Sequence, residues 1–464
     1  MKNMVRTLKP FLKMRPINNI FFIPIGDMLN KSMTDYVLVY SPLAESMIIL
    51  EKDEAEKLHK CLYSCIDDSN TNAEISEIIE SLNDYESIET RSDQIRSCKD
   101  FVTLYVLPNY ACNFSCSYCF AAQGRDKQRL ETDKLLSMIE WMLDVNRTSE
   151  RRIYITFLGG GEPTLSFDVI SRGVEYGNQL AKKRGFNIVW SVVTNGSLTT
   201  DEMLDFFKRE NVIVRYSFEV IPEIQELQRG NFEKVDSSIK LACSKGMHPV
   251  IRAMITPMNV NRLTEMVRLI GLNYSGVKLF KIDPITDASF GDNLLKMEEF
   301  YRSFNTEYLK AKQLGEELGI EVQCVTERNL NSVISRFCAG EISLNGYGEI
   351  TACHRISSPK EKGYSDMKYG YVDTDGVHID ENKFLMITAD KVDTKSNCKD
   401  CFLKYNCAGG CHAQNEQYTK DMQSIVCHYT RELSRKLLFD RVCSQLQEDT
   451  GMDIFQLIES KNSK

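Results

Sequence analysis

From Phe101 to about Ile320 strand-like and helix-like segments alternate in one unbroken series, and that alternation restricts the fold more than any other feature of the chain. Strands are predicted at 101–107, 153–158, 188–193, 212–218, 250–255 and 277–282, each a short run rich in apolar and β-branched residues. Helices are predicted at 132–145, 167–184, 200–210, 232–245, 261–272 and 293–318. Serial β-α units with right-handed crossovers build a parallel sheet covered by helices. Six units, short of the eight of a closed barrel, predict an α/β fold with an open, partial (β/α)6 TIM-like barrel over residues 99–320. Chemistry in such folds sits at the C-terminal strand ends. Those ends are marked here. Cys112, Cys116 and Cys119 follow the first strand, Gly159–Pro163 (Gly-Gly-Gly-Glu-Pro) follows the second, and Thr194, Asn195 and Gly196 follow the third.

Residues 1–98 read as a separate α+β unit with a linker. Strands are predicted at 36–40 and 47–50. A first helix carries Leu58, Cys61, Leu62, Cys65 and Ile66, and a second Ile75, Ile78, Ile79 and Leu82. The polar stretch 90–94 reads as the linker. From 321 to 464 the pattern breaks into short elements, Gly-rich turns and cysteines. A final helix at about 429–447, with Leu433, Leu437, Leu438, Val442 and Leu446 on one face, is expected to dock back on the body.

The net charge of −8 offers no basic face for nucleic acid. No apolar run approaches the ~18 residues of a membrane span. The run Ile20–Ile25 is too short and Pro-broken for a signal peptide. A cytoplasmic location is expected, without nucleic-acid or membrane partners. Sixteen cysteines then call for metal ligation rather than disulfides, because that compartment keeps thiols reduced. They concentrate at 112–119 and 338–427. Cys61, Cys65, Cys98, Cys243, Cys324 and Cys443 are scattered, and Cys61 and Cys65 read as buried small hydrophobes.

The spacing of Cys112, Cys116 and Cys119 is C-x3-C-x2-C. A [4Fe–4S] cluster has four irons and takes one thiolate at each. Three cysteines therefore leave one iron open to chelate a small molecule and pass it an electron. The alternatives are a zinc site or a buried loop. With aromatic Tyr118 before the last cysteine, the segment resembles the cluster loop of the radical S-adenosylmethionine (radical SAM) superfamily. The resemblance implies that the open iron takes the amine and carboxylate of SAM, and that one electron cleaves the sulfonium to a 5′-deoxyadenosyl radical. It places Gly160, Gly161 and Glu162 beside the methionine amine, where glycines let backbone approach a ligand. Thr194 and Asn195 are expected at the same cofactor. Ser217 matches the serine of a Ser-x-Asp-Gly segment, whereas Glu219 replaces its aspartate and the glycine is missing. A ligand carboxylate suits an arginine fork, and Arg229 and Arg252 are the two candidates by position. Tyr118 packs on adenine or excludes water from the cluster. No catalytic acid or base is assigned.

The C-terminal cysteines run Cys338-x9-Gly348-x4-Cys353, then Cys398-x2-Cys401-x5-Cys407-x3-Cys411, with Cys427 after fifteen intervening residues. This resembles the seven-cysteine SPASM domain, an extension of radical SAM enzymes that modify peptides and proteins. The resemblance implies two auxiliary [4Fe–4S] clusters, three in all. It assigns Cys398, Cys401, Cys407 and Cys427 to the outer one and Cys338, Cys353 and Cys411 to the inner. Two clusters need eight ligands and seven are supplied. Either Cys324 completes the inner cluster, or its open iron receives a substrate thiolate. Paired zinc sites would fit Cys398 and Cys401 locally but leave the barrel motifs unexplained.

The N-terminal unit resembles the winged-helix-like peptide-recognition domain of ribosomal-peptide maturases, which binds a leader peptide as an added strand; a structural cap on the barrel is the alternative. Together the resemblances imply an enzyme that crosslinks a ribosomally made precursor peptide, with a cysteine thioether to carbon as the bond. An external donor such as flavodoxin or ferredoxin would supply electrons. A formylglycine-forming sulfatase maturase is the second reading. Such enzymes carry an aspartate after the second SPASM cysteine, where this chain has His354. A non-catalytic metal scaffold or electron carrier is the third.

Overall fold

The computed structural model describes residues 17, 19–29, 35–64, 73–84, 95–285, 290, 293–415 and 417–462. The linker at 90–94 and Cys65 lie outside them.

The chain opens with β1 (Phe21–Pro24), β2 (Tyr36–Ser41) and β3 (Ser46–Glu51), an antiparallel sheet in that order. Two strands were expected from the pattern, and β1 is additional. Its residues Phe21, Phe22 and Ile23 are all buried, because both sheet faces are covered, so no period-two alternation reveals it. Phe22, Val37, Val39 and Leu50 pack on α1 (Lys52–Ser64) and α2 (Ala73–Leu82) through Leu58, Leu62 and Leu82. Phe21, Ile23, Leu38 and Tyr40, on the other face, belong to the main core. Cys61 is half-buried on α1 rather than sealed in that core.

The barrel series follows the predicted order. It comprises β4 (Thr103–Val106), α3 (Thr132–Met142), β5 (Arg152–Phe157), α4 (Phe167–Arg184), β6 (Asn187–Thr194), α5 (Asp201–Arg209) and β7 (Ile213–Ser217). It continues through α6 (Pro222–Gln228), α7 (Phe232–Ser244), β8 (Val250–Ile255), α8 (Leu263–Asn273), β9 (Leu279–Pro284) and α9 (Leu294–Leu318). Local signals fix the ends. The Thr200 side chain caps α5 by accepting from Met203 N–H, and Gly185, at φ 73°, closes α4 in a left-handed turn.

The remaining elements are β10 (Glu321–Gln323), α10 (Val325–Asn329), β11 (Ile342–Leu344), β12 (Glu349–Thr351), α11 (Tyr364–Met367), β13 (Lys368–Asp373) and β14 (Gly376–Ile379). Then come α12 (Glu381–Ile387), α13 (Lys404–Cys407), α14 (His412–Asn415), α15 (Lys420–Thr450) and α16 (Ile454–Asn462). The sheet is larger than the six strands expected. It has 11 strands in the order β10-β9-β8-β7-β6-β5-β4-β11-β12-β13-β14. From β10 to β11 every neighbouring pair is parallel; β12, β13 and β14 continue antiparallel. β10 and β11 do not pair, so the barrel stays open.

The last long helix begins earlier than predicted, capped by Thr419, and so carries Cys427. Leu433, Leu437, Leu438 and Val442 are buried along it. It lies against α9, where Asn305 Nδ2 donates to the Tyr429 carbonyl at 2.8 Å. It also holds the N-terminal sheet. Arg435 donates to both carboxylate oxygens of Asp27 at 2.5 and 2.6 Å and to the Pro24 carbonyl at 3.0 Å. Tyr40 adds a bond from its hydroxyl to Asn406 Oδ1 at 2.9 Å, next to Cys407. No helix among the described residues is long and apolar enough to cross a membrane.

Candidate active site at the barrel mouth

The loop after β4 is pinched at its neck. Asn109 bridges Arg129, Tyr110 N–H donates to the Gln128 carbonyl at 3.1 Å, and Leu130 N–H to the Pro108 carbonyl at 2.9 Å. Within it, Cys112, Cys116 and Cys119 lie within electrostatic reach of one another. Burial pushes the Cys112 and Cys116 thiols up. Arg125 opposes this. It donates to Cys119 Sγ at 3.3 Å, binds the Phe114 carbonyl and acts on all three thiols. A cation and amide donors around buried thiols favour the thiolate that iron requires. Cys112 Sγ also accepts from Phe114 N–H at 3.4 Å. Among the described residues no three His, Cys, Asp or Glu side chains gather tightly enough for a single metal ion. A cubane cluster presents its irons at separate corners, so its thiolates stand wider apart than the ligands of one ion. The trio fits the cluster by donor chemistry, with Arg125 as counter-charge.

Gly160, Gly161 and Glu162 brace this loop. Gly160 has φ 68°, and a β-carbon on Gly161 would lie 1.9 Å from the Ala111 carbonyl oxygen. Glu162 N–H donates to that oxygen at 2.8 Å. The Glu162 carboxylate is buried and fully engaged. It accepts from Thr164 Oγ1 at 2.6 Å, Thr164 N–H at 3.1 Å, Thr194 Oγ1 at 2.6 Å and Asn195 N–H at 2.7 Å. Glu162 and Thr194 thus tie the ends of β5 and β6 together. Asn195 Nδ2 in turn donates to Asn113 Oδ1, inside the cysteine loop, at 2.9 Å.

A second buried network meets the loop from β7. The Tyr118 hydroxyl donates to Glu219 and accepts from Arg229 Nη1, the latter at 2.8 Å. Burial raises the Glu219 carboxyl to about 7, against the pull of Arg229. Arg229 remains a cation and acts on Cys116. The missing glycine of the Ser-x-Asp-Gly pattern has a structural echo: Val220 sits at φ 65°, in the left-handed region that glycine favours. Ser217 ends β7, half-buried, in register with Arg252 on β8. Arg252 pairs with Asp283 on β9 at 3.1 Å. Arg229 is therefore committed to the loop, and Arg252 faces the open barrel.

The other cysteines fall into two further groups. Cys338, Cys353 and Cys411 act on one another, as do Cys398, Cys401, Cys407 and Cys427. Burial pushes Cys353 and Cys407 up to about 12. Cys407 and Cys411 belong to different groups because Ala408, Gly409 and Gly410 all have positive φ (46°, 83° and 76°) and end α13 there. Cys324, the alternative ligand for the inner group, is buried beside Tyr308 and Glu327 and has none of that group's cysteines among the groups that act on it. The non-cysteine group acting on both Cys338 and Cys353 is Glu341. It is engaged by His354 N–H at 2.8 Å, His354 Nδ1 at 2.8 Å and Ser343 Oγ at 3.1 Å. The His354 ring lies 5.2 Å from Tyr105 on β4 and 6.3 Å from Phe120, so the inner group abuts the first.

Residues 106–270 match the family model of the Radical SAM superfamily. This barrel is a radical SAM domain. The chain is 23% identical over 423 residues to the radical SAM cyclopropyl synthase TigE of Paramaledivibacter caminithermalis, covering 81% of this chain and 84% of that protein. It is 22% identical over 347 residues to the cysteine-type anaerobic sulfatase-maturating enzyme of Clostridium novyi, covering 66% and 86%. Among solved structures, the radical SAM fold aligns with anSMEcpe with bound AdoMet at TM-score 0.59 and 17% identity, covering 75% of this chain and 100% of that one. Streptococcus suis SuiB aligns at TM-score 0.51 and 15% identity, covering 88% and 98%. Residues 106–270 are thus a radical SAM domain, and SAM and an iron–sulfur cluster are the cofactors of that superfamily.

The sequence reading missed Arg125, Asn113 and Glu341. Arg125 offered a signal, a cation six residues after Cys119. Glu341 offered none, since only the fold brings it to His354.

Proposed function

We propose that this enzyme is a peptide maturase that forms an intramolecular crosslink, a cysteine thioether to a carbon of another residue, in a ribosomally made precursor peptide. In this reading residues 99–320 hold SAM and its cluster, 321–464 hold two auxiliary clusters, and 1–98 hold the leader. The observation that carries it is the sorting of ten cysteines into groups of three, three and four, with the first two adjoining. When bound, the cluster and SAM supply a carbon-centred radical that removes a substrate hydrogen. The protein's own part is positional. Glu162, Asn195 and Arg125 fix the cysteine loop, and Tyr118, Glu219 and Arg229 close its side against water. Cys338, Cys353 and Cys411 leave one cluster position for a substrate thiolate, since Cys324 is buried beside Tyr308 and Glu327, and Glu341 is engaged by His354. The outer edge of β3 pairs with no strand among the described residues and offers a place for β-augmentation by a leader. A flavodoxin or ferredoxin is the electron source. A fold neighbour solved with a bound peptide agrees with a peptide substrate.

A formylglycine-forming sulfatase maturase is the second reading, favoured by the similarity to the Clostridium novyi enzyme. His354 after Cys353 and the N-terminal sheet weigh against it. Mass spectrometry of a short cysteine-bearing peptide encoded beside the gene decides, after anaerobic incubation with enzyme, reductant and SAM. Loss of two hydrogens per event supports the crosslink. Loss of the thiol with aldehyde formation would establish the second reading instead.

A further inference from the structure

The barrel lumen carries more cations than Arg252, the candidate for the cofactor carboxylate. On β7, Val214 and Tyr216 are buried against the helices, so Arg215 and Ser217 face inward. The same alternation on β8 and β9 buries Ile251, Ala253, Phe280 and Ile282 and turns Arg252, Lys281 and Asp283 inward. Register sets Arg252 beside Lys281. Arg328, on α10, reaches the same place and donates to Asp283 at 3.1 and 3.2 Å. Asp283 also accepts from Arg252 and, at 2.7 Å, from Val325 N–H, so its two oxygens are occupied. Four cations and one carboxylate thus line the lumen.

Two of the cations, the Lys281 ammonium and the Arg215 guanidinium, make no direct ion pair among the described residues, and Asp283 acts on Lys281 only at a distance. Arg215 Nε is buried without an acceptor. Burial and the neighbouring Arg328 and Arg215 push Lys281 down to about 8. Unpaired like charges in a partly desolvated lumen are costly and mark a place built for a counter-charge. Arg252, a candidate for the cofactor carboxylate, is registered beside Lys281, so the SAM carboxylate is the competing counter-charge. Groups around the first cysteine trio come from the ends of β4 to β7, whereas Lys281 and Arg328 come from β9 and from beyond β10.

Resting on the peptide-maturase reading, we propose that Lys281 and Arg215 bind a carboxylate of the substrate peptide, an Asp or Glu side chain held in the lumen beside the radical site. The test uses the full-length, anaerobically reconstituted enzyme and a displayed random-peptide library, with enriched peptides remade as Glu/Gln pairs. Wild type is expected to enrich acidic residues and to prefer the Glu member by about tenfold or more, the scale of a hydrogen bond between charged groups. Lys281→Met is expected to lose that preference. As a readout independent of any variant's folding, the Glu peptide should slow acetylation of the Lys281 amine in wild type, and its Gln partner should not. Absence of acidic enrichment, or a preference unchanged in Lys281→Met, overturns the proposal. Equal protection by SAM alone, or by inorganic phosphate, also overturns it by assigning the cations to the cofactor or to a phosphorylated ligand. SAM cleavage by wild type is scored separately. Its failure removes the maturase reading, whereas lost Glu/Gln discrimination with cleavage intact removes only this site.

Discussion

Gly161→Ala tests whether the second strand's loop sets the cysteine loop. Gly161 lacks a positive φ, so alanine meets no backbone strain and the effect is purely steric. The new methyl would lie 1.9 Å from the Ala111 oxygen, 2.6 Å from its carbonyl carbon and 2.6 Å from Asn109 Oδ1. Two backbone segments must separate. The bonds from Glu162 N–H to Ala111 (2.8 Å) and from Asn109 Nδ2 to the Glu162 carbonyl (3.0 Å) are lost or stretched. Overpacking costs about 1–3 kcal/mol and each weakened bond about 0.5–1.5, so a loss of about 3 kcal/mol is expected. Gly185→Ala is the control: its site has no neighbour within 4 Å, and only left-handed strain, about 1–2 kcal/mol, applies. Anaerobic denaturant titration gives the stabilities, and iron analysis should show iron lost from Gly161→Ala alone. If Gly161→Ala unfolds with wild type and keeps full iron, the bracing role is wrong.

Cys116→Ala is expected to abolish conversion of SAM to 5′-deoxyadenosine, read by chromatography. Cys401→Ala should leave some uncoupled cleavage but no modified peptide, and undiminished product would contradict the role given to the outer group. Glu219 has a folded value of about 7 against an ordinary 4.5, so it favours folding most below 4.5 and loses that advantage as pH rises through 7. The stability difference between Glu219→Gln and wild type should therefore shift by about 3 kcal/mol in favour of the variant across that window. A flat difference would show that the carboxyl is not held up by burial. Arg435→Met removes the paired contact to Asp27 and should weaken the hold on the N-terminal sheet by about 1–3 kcal/mol. Hydrogen exchange would report faster opening of β1 to β3, and unchanged protection would mean that the apolar face alone fixes them.

The barrel was legible because its strands and helices are long enough to show their periods; α4 and β8 fall where the apolar pattern puts them. The strands β10, β11 and β12 were not, since three residues each carry no period. Their pairing is decided by neighbours far away in sequence. α6 was missed for similar reasons, being seven residues opened by Pro222. Of the site, the cysteine spacings and glycines were readable because iron and close backbone approach demand those residue types. Glu162 was readable as a position but not in its actual partners, which are two hydroxyls and two backbone amides of the protein. Lys281 and Arg215 looked like ordinary strand residues until the register aligned them.

The pairing of Leu104 with Ile342 joins β4 to a strand made more than two hundred residues later. The strand that launches the cysteine loop therefore gains its second neighbour only late in synthesis, when most of the polypeptide has left the ribosome. The seat of the loop carrying Cys112, Cys116 and Cys119 is thereby coupled to the arrival of β11. A truncated product would present a bare parallel edge at β4, prone to sticking to other chains, rather than a working smaller enzyme.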